Sequence, residues 1–201
     1  MWIWIARICL APLVTYELLN ALGMLHQPLT FTWWGLVVTS VPVWVALEVS
    51  HTHFRSKKQS FPWWVVIPVI LAVYFDAGGD ILGMYDKFFW WDQVAHAVGS
   101  MATTVWIGAV FFPLWKADRI SVKARFLFLV AAGVLIGVVY ELAEYLEDVI
   151  SASNRLGDGP DTGNDLLWDL FGAVLVATIL PKLQIKPHHD RRSHSKAQRN
   201  S

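Results

Sequence analysis

Long apolar runs separated by short polar segments dominate the chain. Runs at about 3–25, 31–49, 62–84, 94–114, 126–148 and 165–182 each approach the length that carries a helix across a hydrocarbon core. The pattern predicts an all-α, polytopic membrane bundle of about six transmembrane helices. No linking segment is long enough to fold alone, so residues 1–186 read as a single transmembrane helical domain. Residues 187–201 are polar, rich in Lys, Arg and His, and without hydrophobic periodicity. They are expected to form a basic, disordered cytoplasmic tail beside anionic lipid.

The linkers alternate in charge. The 51–60 segment carries Arg55, Lys57 and Lys58, the 115–125 segment carries Lys116, Arg119, Lys123 and Arg125, and more basic residues follow Lys182. Of the 16 basic residues only Arg7, Lys87 and Arg155 fall outside these three segments. Of the 16 acidic residues all but Glu48, Asp118 and Asp190 fall on the opposite side. The positive-inside rule then places both termini in the cytoplasm, which six spans require of each other. The expected location is the inner (plasma) membrane of a bacterial cell. The first run lacks a basic segment ahead of it and a small-residue cleavage site, so it reads as a retained helix.

Composition agrees with the pattern. Hydrophobic residues make up 55% of the 201, and Trp occurs 12 times. The pairs Trp33–Trp34, Trp63–Trp64 and Trp90–Trp91 sit at span borders, where amphipathic rings settle at headgroup level. A formal net charge of zero implies no bulk attraction to nucleic acid. Cys9 is the sole cysteine, which excludes an intrachain disulfide and a cysteine-based metal cluster. No nucleophile triad, phosphate-binding glycine loop or dinucleotide fingerprint is visible, and nothing sets an oligomeric state.

Ionisable residues inside the spans carry the functional signal, because charge at membrane depth is expensive and normally faces a bundle interior. Asp76 and Asp80 are four apart on the third span, as are Asp92 and His96 on the fourth. Glu141, Glu144 and Asp148 share a stripe on the fifth, with Gly133 and Gly137 extending it inward. Asp161, Asp165 and Asp169 step by four on the sixth and lead to Gly172. Such spacing lines one helix face, and small residues on that face let helices approach closely. The topology puts every one of these acids in the outer half of the membrane, and Glu17 with Asn20 joins that depth on the first span.

So many carboxylates cannot all ionise in a low-dielectric pocket unless cations neutralise them. Carboxylates with one imidazole suit a divalent ion such as Zn, Mg or Mn. The candidate metal ligands are Asp92, His96, Glu141 and Asp165, with Glu144 or Asp169 as the catalytic general base. Asp76, Asp80 and Asp161 complete the polar site. Competing readings exist. Asp92–His96 also fits a structural hydrogen-bonded pair, and Asp161 fits a helix cap. Asp86, Glu147 and Asp158 read as solvated, and the turn-rich 158–164 stretch as an outer loop or lid.

The motifs D-x-x-x-H (Asp92, His96), Y-E-x-x-E (Tyr140, Glu141, Glu144) and D-T-x-x-D-x-x-x-D-x-x-G (Asp161, Thr162, Asp165, Asp169, Gly172) resemble the uncharacterised YjdF-like bacterial inner-membrane proteins. More distantly they resemble VanZ-type proteins, although Asp169 stands where those tend to carry Asn. The resemblance covers residues 76–180 and implies the fold and a polar site, without an agreed reaction. The sequence thus leaves three readings: a metal-dependent hydrolase acting on a lipid or lipid-linked small molecule, a proton- or cation-coupled transporter, and a non-catalytic scaffold holding a structural cation.

Overall fold

The computed structural model describes residues 2–29, 31–114 and 120–183. The tail at 187–201 lies outside the described residues, as do Lys116 and Arg119 of the basic segments. Helices α1 (Trp2–Ala21), α2 (Trp33–Ser56), α3 (Trp63–Ile81), α4 (Met84–Lys87), α5 (Trp91–Phe111), α6 (Val122–Ser151) and α7 (Gly159–Leu183) follow one another. A single 3-10 turn, Phe112–Leu114, follows α5. Among the described residues there is no strand. Among the described residues every helix except the one-turn α4 is long and apolar enough to cross a membrane, six in all. The fold is the multi-pass helical bundle that the hydrophobic pattern predicts.

Local chemistry sets several helix starts. The Thr32 hydroxyl accepts from Gly35 N at 3.0 Å and opens α2, and Ser121 does the same for α6 through Ala124 N at 3.1 Å. The three Trp pairs fall at the first residues of α2, α3 and α5. Trp34 and Trp63 are exposed there, but Trp91 lies flat on Phe75 at 4.2 Å and is a packing residue.

Four helices extend beyond the hydrophobic runs, α2 by running on to Ser56 through the basic segment. α5 starts at Trp91, α6 runs to Ser151 and α7 starts at Gly159. The 158–164 stretch is therefore not a loop. Asp158 Oδ1 accepts from Asp161 N at 3.0 Å and caps α7, and Pro160 is tolerated in the first turn, where its missing N–H has no helical partner anyway. Polar helix ends at a membrane surface look like loop to any hydropathy scale. α6 has 30 residues, about 45 Å, which exceeds a hydrocarbon core of about 30 Å.

α5 is the hub, touching α3, α6 and α7. One apolar core joins α1, α2, α3 and α5 around Leu10, Leu36, Leu47 and Val65. A smaller one joins α5, α6 and α7 around Leu129 and Ala177. In the second group small residues do the packing. A Cβ at Gly133 would collide with Thr104 and Ala173, one at Gly137 with the Asp169 carboxylate, and one at Gly172 with Ser100 and the Ala97 carbonyl. Large apolar side chains such as Ile8, Val49, Leu71 and Leu135 point outward, as lipid contact demands. Close α5–α6–α7 packing presses their acidic faces together.

Candidate metal centre

His96 lies on α5 one turn after Asp92 and is buried. Its Nε2 faces Asp92 Oδ1 at 3.7 Å and Glu141 Oε1 of α6 at 3.6 Å. Its Nδ1 faces Asp169 Oδ2 of α7 at 3.3 Å. The two Nε2 separations are too long for hydrogen bonds, whereas the Nδ1 one is within reach. The Asp92–His96 relation is therefore not the hydrogen-bonded pair that i, i+4 spacing allows.

Glu141 is only 5% exposed, and neither of its oxygens makes a short hydrogen bond; they face His96 and Thr162. Asp165 is buried with Oδ1 likewise unpartnered. Donor atoms of Asp92, His96 and Asp165 lie within 4.8 Å of one another, and so do those of His96, Glu141 and Glu144. Asp92, His96, Glu141, Asp165 and Asp169 thus converge from three helices, as the sequence suggests. Asp169 reaches His96 because Gly137 has no side chain to block it.

A second buried network adjoins the first, and it centres on a residue that sequence reasoning passed over. Arg155 stands between α6 and α7 with its side chain 3% exposed. Its Nη1 donates to Asp80 Oδ2 at 2.7 Å, its Nε to Glu144 Oε1 at 2.9 Å and its Nη2 to Tyr140 Oη at 3.1 Å. Nη2 also reaches Asp76 Oδ1 at 3.5 Å, and that oxygen accepts from the hydroxyls of Tyr85 at 2.9 Å and Tyr140 at 3.0 Å. The Phe31 ring lies 5.1 Å from the guanidinium carbon and closes the socket. Burial alone would lower the Arg155 pKa, but Tyr140, Asp80, Asp76 and Glu144 together hold it well above the ordinary arginine value. Burial, then Asp76, raises the Tyr85 phenol well above its usual value, so it stays a donor.

Asp148 aims this arginine. Its Oδ1 accepts from Ser153 Oγ at 2.6 Å and Arg155 N at 2.7 Å, and its Oδ2 accepts from Leu156 N at 3.0 Å. The connection folds back on the end of α6 and turns residue 155 inward. Asp148 therefore shapes the loop rather than extending the acidic stripe.

The remaining acids separate cleanly. Asp76 and Asp80 belong to the Arg155 socket. Glu144 belongs to both networks. Asp161 sits against Gly157 in the first turn of α7, half-buried, while Asp158 supplies the cap. Glu147 is not solvated: its Oε1 accepts from Thr32 N at 3.1 Å and Thr32 Oγ1 at 2.6 Å, tying α6 to the start of α2. Glu17 is fully buried on α1 and accepts from Ser40 Oγ at 3.0 Å. Asn20 accepts from Gln27 N at 3.2 Å, bracing the turn after α1. The sequence signal for Arg155 was its position, for it shares the acid-rich side with a single other basic residue, Lys87.

The family model described as "Predicted membrane protein (DUF2238)" matches residues 4–185. An uncharacterized protein of Thermotoga maritima is 33% identical over 105 residues, covering 51% of this chain and 53% of that relative. The chain thus aligns with about half the length of the curated relative it matches. No solved structure matches.

Proposed function

The chain belongs to the DUF2238 family of predicted membrane proteins, so its buried ionic site lies in or beside lipid, and we propose that this site is a divalent-metal centre hydrolysing a lipid or lipid-linked ester or phosphoester. The basic segments support an orientation in which Arg55, Lys57, Lys58, Lys123 and Arg125 face the cytoplasm of a bacterial cell and the centre lies toward the outer leaflet.

The spacing around His96 Nε2 carries the reading. Donors each about 2.1 Å from a tetrahedral ion stand about 3.4 Å apart, close to the 3.6 and 3.7 Å seen here. A buried glutamate whose oxygens make no short hydrogen bond, set beside an imidazole, is costly unless positive charge sits there, and a metal ion would supply it. His96, Asp92, Glu141 and Asp165 would hold the ion. Asp169 would accept the Nδ1 proton, which fixes the tautomer that leaves Nε2 free to ligate. When bound, the ion supplies Lewis acidity and an acidified water. Glu144, oriented by Arg155, is the carboxylate placed to take that water's proton.

The test is elemental analysis of the purified full chain, followed by hydrolysis assays on lipid-linked esters and phosphoesters before and after chelation. Hydrolysis that disappears on chelation and returns with metal supports the reading. Wild-type protein that is free of divalent metal and unchanged by chelation overturns it. The variants His96→Ala and Glu141→Ala separate an enzyme from a scaffold, since they would fold and lose hydrolysis in the first case and fail to fold in the second. Metal-driven ion flux in vesicles without hydrolysis would mark a transporter.

A further inference from the structure

Glu144 offers a donor within 4.8 Å of those of His96 and Glu141, yet one of its oxygens is already fixed on the Arg155 guanidinium at 2.9 Å. This double membership has a chemical consequence for any ion at His96. A carboxylate anchored on an arginine through one oxygen can offer an ion at most the other. It cannot give the bidentate grip that calcium uses, and it brings little uncompensated charge. Asp76 and Asp80, the other acids nearby, are held by the same guanidinium and by Tyr85 and Tyr140.

We infer that Arg155 is the specificity-determining residue of the His96 centre: by holding one oxygen of Glu144 it leaves that carboxylate at most one, charge-compensated oxygen for an ion beside His96 and Glu141, and so selects a zinc-type cation over calcium. Each candidate donor group, Asp92–His96–Asp165 and His96–Glu141–Glu144, has three donors including an imidazole, which suits the three protein ligands of a catalytic zinc. Calcium takes six to eight oxygens and draws on bidentate carboxylates, the grip that Arg155 denies Glu144. The guanidinium is suited to this because it forks across three carboxylates at once and never gives up its proton. Asp148 provides the support, because it fixes the backbone of Arg155 while the side chain reaches past Glu144 to α3. The assignment rests on the metal-centre reading above and adds the class of ion to it.

The experiment is competitive metal binding to the full chain in lipid nanodiscs, with zinc, magnesium and calcium chlorides as probes. Wild type is compared with Arg155→Gln, Arg155→Lys and Glu144→Gln. Arg155→Gln should cut the preference for zinc over calcium at least about tenfold (about 1.4 kcal/mol) by releasing Glu144, and Arg155→Lys should give a smaller loss in the same direction. Glu144→Gln, which keeps Arg155, should change zinc affinity less than about threefold (about 0.7 kcal/mol), and it decides the matter if Arg155→Gln does not fold. An unchanged zinc-to-calcium ratio in Arg155→Gln overturns the inference, as does a large loss of zinc affinity in Glu144→Gln. Wild type that binds none of the three ions overturns the metal centre itself.

Discussion

Two groups of carboxylates adjoin in this bundle, and they are held in different ways. Around Arg155, one oxygen each of Asp80 and Glu144 and the Tyr140 hydroxyl are engaged at 2.7–3.1 Å, and Asp76 Oδ1 accepts from two tyrosine hydroxyls, while Asp80 Oδ1 has no hydrogen-bond partner among the described residues. Around His96 the separations on Nε2 are 3.6–3.7 Å, and the glutamate there has no short hydrogen bond. Both groups are largely buried, Asp92 and Asp76 being their more exposed members, and both line helix faces. The Arg155 socket brings its own cation, whereas the His96 centre has only an imidazole among four carboxylates. Buried charge is therefore of two kinds here, one bolted to an arginine and one gathered around an imidazole. Only pairing geometry tells them apart.

The comparison can be broken by substitution, and the largest effect is expected at the bolt. Arg155→Ala leaves Asp80 and Glu144 buried without their partner and should cost about 3–5 kcal/mol of stability, which is typical for halving a buried ion pair. Thermal unfolding of the solubilised protein would show it, and an unchanged midpoint would mean that the socket is not a bolt. Next comes Gly137→Ala, whose Cβ meets the Asp169 carboxylate. Overpacking of this kind costs about 1–3 kcal/mol, and it should also lower metal affinity by moving the group that orients His96. Asp169→Asn isolates that second effect. Losing the carboxylate behind a metal-binding imidazole should weaken metal binding about 10–100-fold, as read by competition with a chelating dye. Unaltered affinity would remove Asp169 from the centre. Glu147→Ala should do least, about 1 kcal/mol through the lost Thr32 contacts at the start of α2, and should leave metal affinity as it was.

Much of this arrangement was legible in the chain. Hydrophobic run lengths gave the six spans. Helical spacing then put Asp92, His96, Glu141, Asp165 and Asp169 at one depth, because membrane topology removes the freedom that soluble helices have to slide. Helix ends were less legible, since residues 158–164 carry turn chemistry that here serves as a cap and a first turn. Arg155 was illegible as a partner. Its role depends on a backbone reversal fixed by Asp148, and no periodicity records where a residue between two helices will point. The same blindness hid Glu147, whose partner Thr32 lies 115 positions away.

The central claim is that His96, Asp92, Glu141 and Asp165 surround one cation, and anomalous scattering from crystals of the zinc-loaded full chain addresses it directly. The expected result is a single peak about 2.0–2.1 Å from His96 Nε2, between Asp92 and Glu141, which vanishes in Glu141→Gln. A peak elsewhere, or no peak beside His96 in saturating zinc, would contradict it.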